Sequence, residues 1–99
     1  MLDKKSSMAI VDEIRRVLMV HWDPIGVADV PEAADEYDRY LGGVVGLLER
    51  DASEELIAGH LRDIEVRRMG LTDKEGNPLL PEGVRDDAVA ALQRLRALF

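Results

Sequence analysis

The chain has 99 residues, is 46% hydrophobic and carries a formal net charge of −7. That length and apolar content suit one packed core, and argue against a second domain and against wholesale disorder. It has no cysteine, so disulfides, thiolate zinc sites and a cysteine nucleophile are excluded, and a reducing cytoplasm is the expected setting.

Residues 1–6 read as a flexible N-terminus without the apolar run of a signal peptide. No apolar stretch approaches the ~20 residues that a membrane helix needs, so no membrane association is expected. The first helix is predicted from about Ser7 to His21. Ile10, Ile14, Val17, Leu18 and His21 recur at spacings of three and four, with Val11 beside them. Either Ser6 or Ser7 is placed to cap it. Pro24 and Gly26 end it and turn the chain.

A second helix is predicted to begin near Asp29 to Glu32, which have capping-box spacing with Pro31 in the first turn, or only at Ala33 or Asp35. Its apolar stripe is Ala33, Tyr37, Tyr40, Leu41, Val44, Val45 and Leu48. Gly42, Gly43 and Gly46 weaken it, by about 1 kcal/mol each relative to alanine. They are expected to admit a neighbouring helix or to mark a bend.

The third helix is predicted from about Ser53 to Met69, capped by Asp51 or Ser53, with Glu54 and Glu55 at the positive end of its dipole. Leu56, Ile57, His60, Leu61, Ile64 and Arg68 share its expected inner face. Gly70 reads as a left-handed cap. Residues 72–83 form a loop whose Asp73-Lys74-Glu75-Gly76-Asn77-Pro78 is turn chemistry, with Leu79, Leu80 and Pro81 expected to tuck back. The last helix starts at Pro81 or Val84 and runs to Leu98, with Val84, Ala88, Ala91, Leu92, Leu95 and Phe99 inward. No run alternates as a strand does. The expected architecture is one all-α domain over residues 1–99, a compact bundle of about four helices with residues 84–99 as the C-terminal helix.

The charge is concentrated. Between Trp22 and Glu55 ten acids stand against Arg39 and Arg50, leaving −8, while the remainder of the chain is +1. Such a field repels nucleic acid and attracts a basic partner, although it also serves solubility. The same stretch holds the single tryptophan and both tyrosines. Trp22 is expected chiefly as a core anchor whose indole N–H needs a partner. Asp23, before Pro24, is expected to accept bonds from nearby backbone amides. Tyr37 and Tyr40 fall on the inward side of helix two, one of them against Trp22. The candidate partner-binding residues are Asp35, Glu36, Tyr37, Asp38, Tyr40 and Trp22, with carboxylates steering and partly exposed rings anchoring.

Spacing supports no catalytic residues, metal site or cofactor. His21 and His60 lack His-x-x-x-His or Glu-x-x-His partners, and the expectation is a boundary or core role for each. Ser6, Ser7 and Ser53 sit at helix starts, with no nucleophile elbow, and Gly42-Gly43 is not followed by the lysine of a phosphate loop. Arg15-Arg16 and Arg67-Arg68 are too few for a nucleic-acid groove.

The segments Trp22-Asp23-Pro24-Ile25-Gly26-Val27, Asp35-Glu36-Tyr37-Asp38, Ile64-Glu65 and Met69-Gly70-Leu71 resemble a bacterial family of small acidic helical proteins of unknown function. The resemblance spans about Ile10 to Leu71 and leaves Leu79–Phe99 outside it. It implies an all-α fold and a bacterial cytoplasmic protein, without an established activity. Some proteins of this kind look like candidate immunity proteins for secreted toxins. The expectation that follows is a non-enzymatic protein-binding module that docks on a basic partner, such as a toxin domain. The alternatives are a self-associating structural protein (a homodimer through the glycine side of helix two and the C-terminal helix) and, less favoured, a small metal-dependent enzyme using His21, His60 and nearby carboxylates.

Overall fold

The computed structural model describes the backbone of residues 4–99 and the side chains of residues 8–99. The part of the expected flexible terminus at residues 1–3 lies outside the described residues. Helix α1 spans Lys4–Val17 and continues as a wider, π-helical turn over Leu18–Trp22. Ile10, Ile14, Val17 and Leu18 are buried, as their spacing requires. The helix starts earlier than predicted, so Ser6 and Ser7 lie within it and not at its cap. A serine begins a helix only where the chain before it is non-helical, and Lys4 and Lys5 are good helix formers. The wide turn closes where Asp23 donates its N–H to Leu18 O at 2.8 Å, and Asp23 adopts a left-handed conformation with φ 34°.

The predicted second helix does not begin in the acidic segment. Residues 30–40 are held instead by bonds between residues three apart, with 3₁₀ turns at Pro31–Ala33 and Asp38–Tyr40. Val30, not Asp29, stands at the cap position of the first turn, and no side chain caps it. The reason lies in Tyr37 and Tyr40. A 3₁₀ repeat sets residues i and i+3 above one another, so both rings face Trp22. Only at Leu41 does helix α2 start, running to Glu49 and burying Leu41, Val44 and Leu48.

Helix α3 spans Glu54–Asp63. Ser53 Oγ caps it by accepting from Leu56 N at 3.2 Å, whereas Asp51 takes a left-handed conformation before it. Ile57, Leu61 and Ile64 form the buried stripe. Two residues expected on that face are not there: Leu56 is 61% exposed and Arg68 is exposed. Leu56 lies about 100° round the helix from Ile57. After Asp63 the chain widens into a second π-helical turn, Ile64–Arg68, in which Glu65 lies in the core. Gly70 is left-handed as predicted, at φ 67°.

The loop after it is tied by Asp73, whose Oδ1 accepts from Glu75 N at 2.9 Å and Asn77 N at 2.8 Å. The amide of Asn77 above all holds the Asp73 carboxyl below its ordinary range. Leu80 packs on the core edge while Leu79 stays exposed. Helix α4 runs Glu82–Arg94 and tightens into a 3₁₀ turn over Leu95–Leu98. Ala88, Ala91 and Leu92 are buried as expected, and Arg85 and Val89 join them. The result is an all-α bundle of four helices, whose described residues include one isolated β-bridge, Thr72 to Pro78. Among those residues no helix is long and apolar enough to cross a membrane.

Candidate functional site

Of the six candidate residues, Trp22, Tyr37 and Tyr40 come together, but not as a surface of exposed rings. Trp22 is 1% exposed, Tyr37 2% and Tyr40 7%. The Trp22 and Tyr37 ring centroids are 5.4 Å apart and tilted; Trp22 and Tyr40 meet edge to face at 6.2 Å. Such arrangements suit the quadrupoles of the rings. The expectation of partly exposed rings is therefore corrected for Tyr37 and Tyr40, which are core, whereas Trp22 is the core anchor that its sequence context predicts. Both tyrosines pack on Trp22 at the end of α1.

The acidic members divide. Asp35 and Glu36 are exposed. Asp38 is half-buried and holds Arg15 of α1 in a two-point contact, Nε to Oδ1 at 2.8 Å and Nη2 to Oδ2 at 3.2 Å. Asp23 organises the turn as its sequence context suggests. Its Oδ1 accepts from Val27 N at 2.7 Å and from the Tyr37 hydroxyl at 2.7 Å, and its Oδ2 from Ala28 N at 3.0 Å. The same hydroxyl accepts from Ile25 N at 3.2 Å. Burial, with the bond to Asp23 second, pushes the Tyr37 phenol above its ordinary value. The acidic segment is thus fastened at Asp23, Tyr37 and Asp38, leaving Asp29, Glu32, Asp35 and Glu36 in solvent.

Beneath the aromatics lies a group that spacing did not reveal. Glu65 is 0% exposed and Arg85 6%. Trp22 Nε1 donates to Glu65 Oε2 at 2.8 Å; Arg85 donates through Nε to Oε2 at 3.0 Å and through Nη2 to Oε1 at 2.6 Å. Two-point pairing with a carboxylate suits guanidinium geometry, and the bond to Glu65 raises the Arg85 pKa further. The signal for Trp22 was its need for an indole partner. For Glu65 and Arg85 the available signal was helical spacing: Glu65 stands four after buried Leu61, and Arg85 three, four and seven before buried Ala88, Val89 and Leu92.

The histidines are apart from this cluster. His21 Nδ1 lies 2.9 Å from Asp87 Oδ2 on α4. His60 sits against Gly43 of α2, and burial first, then Arg68, lowers its pKa, opposed by Asp63. Among the described residues no group of three or more histidine, aspartate or glutamate side chains converges as metal ligands. Both oxygens of Glu65 are engaged by protein donors, so this carboxylate reaches no substrate while the core is closed.

No family model, no curated protein and no solved structure matches the chain.

Proposed function

We propose that the chain is a non-enzymatic helical binding protein of the immunity type, which covers a basic surface of a protein partner such as a toxin domain. The observation that carries the reading is the state of residues 29–36. Asp29, Glu32, Asp35 and Glu36 are exposed on a short segment and make no ion pair among the described residues. The segment is anchored at one end by Asp23 and at the other by Tyr37 and Asp38. Carboxylates held in place lose little freedom on docking, and their field accelerates encounter with a cationic surface. In this reading Trp22, Tyr37 and Tyr40 shape the segment from below. The absence of cysteine suits a cytoplasmic setting for that role.

The test is affinity capture from the native lysate at low and at moderate salt, run in parallel with a variant carrying Asp29→Asn, Glu32→Gln, Asp35→Asn and Glu36→Gln. Asp38 is left intact because it holds α1. A basic protein retained by the native chain, weakened by salt and lost by the variant is the expected result. Equal retention by a folded variant overturns the reading.

Self-association is a second reading, favoured by Gly42 and Gly46, which have open space where a Cβ would stand, and by the exposed Leu98. A monomer in sedimentation at high micromolar concentration excludes it.

A further inference from the structure

A cavity of about 350 Å³ opens between α3 and the N-terminal part of α4, lined by Arg62, Pro78, Leu79, Leu80, Pro81, Glu82 and Arg85. Its volume falls at the small end of the range of ligand pockets. Two features set it apart from a chance groove. One is Arg85. Its side chain is 7% exposed, and Nε and Nη2 are both spent on Glu65. The third nitrogen, Nη1, has no partner among the described residues. No fully buried side-chain nitrogen or oxygen in the described structure lacks a hydrogen-bond partner, so Nη1 reaches solvent, and Arg85 is among the residues that line the cavity. The second feature is Arg62, exposed on the same cavity and without an ion pair among the described residues. Pro78, Leu79, Leu80 and Pro81 supply an apolar wall beside these donors.

We propose that this cavity binds a small monoanionic carboxylate with an apolar body, its carboxylate bridging Arg62 and Nη1 of Arg85 and its body lying against Leu79 and Leu80. The charge balance disfavours a dianion. Glu65 balances Arg85 and Glu82 stands in the lining with Arg62, so the cavity carries no surplus positive charge. A phosphate dianion faces that glutamate with a single cation to hold it. A carboxylate instead matches one guanidinium and one further N–H donor, both in charge-assisted bonds. A branched alkyl chain suits the wall. The same chemistry is presented by a free short-chain acid and by the C-terminal leucine of a peptide. The site is independent of the acidic segment, and its test does not depend on the reading of that segment.

The experiment uses the full chain, labelled for observation of arginine Nε–Hε and leucine methyl signals. It is titrated separately with 3-methylbutanoate, with N-acetyl-alanyl-leucine, with inorganic phosphate and with chloride at matched ionic strength. Saturable shifts at Arg85 Nε–Hε and at the Leu79 and Leu80 methyls are expected with one or both carboxylates, and not with chloride. The stronger of the two carboxylates identifies the source. Arg62→Gln, a change at an exposed position, is expected to weaken that binding about tenfold, the loss of one charge-assisted bond. Shifts that stay linear in concentration, that chloride reproduces, that phosphate exceeds, or that Arg62→Gln leaves unchanged overturn the proposal.

Discussion

Trp22 and Glu65 are joined by a 2.8 Å hydrogen bond, and each sits in a π-helical turn that extends its helix. The two wide turns, Leu18–Trp22 after α1 and Ile64–Arg68 after α3, thus meet through the two side chains they carry. Arg85 of α4 closes the cluster, so three helices share one buried charge pair. Removing one partner from such a pair strands the other in the core. Glu65→Leu is therefore expected to cost about 3–5 kcal/mol in urea unfolding, and Arg85→Met a similar amount. The combined Glu65→Leu, Arg85→Met chain is expected to recover most of the loss, because neither charge then remains. It still leaves the Trp22 N–H without an acceptor, a penalty of about 1–3 kcal/mol. Simple additivity of the two single losses would show that the pair is not coupled.

Tyr37 secures the turn through one oxygen with two roles: it donates to Asp23 and accepts from Ile25 N. Tyr37→Phe removes both and is expected to cost about 1–2 kcal/mol. A pH series separates the hydroxyl from the ring. The folded phenol is raised above its ordinary value of 10.0, by burial and then by Asp23. Above that pH the unfolded chain therefore releases a proton that the folded chain retains. The contribution is fully present below pH 10 and declines as pH rises above it. Native stability should fall more steeply with alkalinity than that of Tyr37→Phe. Parallel profiles would mean that the phenol titrates normally.

These residues show where sequence reasoning reached and where it stopped. The stripes of α1 and α4, the Ser53 cap, the Gly70 cap and the turn role of Asp23 were legible, because each depends on neighbours within one or two helical turns. The start of α2 was not. Asp29, Pro31 and Glu32 satisfy local rules for a helix start, but contacts of Tyr37 and Tyr40 with Trp22, distant in sequence, select 3₁₀ geometry instead. The same tertiary pull buries rings expected to be half-exposed. Glu65 was hidden for another reason: charged side chains are rarely buried, so its place four residues after Leu61 does not mark it for the core without its partner Arg85, distant in sequence. The acids at 29, 32, 35 and 36 needed no such information, since charged side chains reach solvent by default.

The glycines of α2 differ in what surrounds them. A Cβ at Gly42 or Gly46 meets nothing within 4 Å, whereas one at Gly43 would lie 2.9 Å from His60 Nε2. Alanine is the better helix former by about 1 kcal/mol. Gly42→Ala and Gly46→Ala are each expected to raise stability by about 0.5–1 kcal/mol in thermal or urea unfolding. Gly43→Ala is expected to lower it, because the imidazole must move out of a partly buried position. If all three substitutions stabilise equally, α2 and α3 are not in close contact at this point.

His60 itself supplies a pH dependence of the opposite sense to that of Tyr37. Burial first, and Arg68 second, hold its folded pKa below the ordinary 6.5, with Asp63 opposing. Below pH 6.5 the unfolded chain thus takes up a proton before the folded chain does. The unfolded state binds more protons there, so stability rises with pH through that interval. The contribution is complete above pH 6.5 and is lost progressively on acidification below it. His60→Gln, which keeps a polar group of similar reach without a titrating proton, is expected to flatten this slope while leaving the alkaline slope intact. Carboxylates titrate at lower pH in both proteins, so the difference between the two profiles from pH 6.5 downward isolates the imidazole. An acid slope unchanged by His60→Gln would place His60 in open solvent and remove the close contact with Gly43.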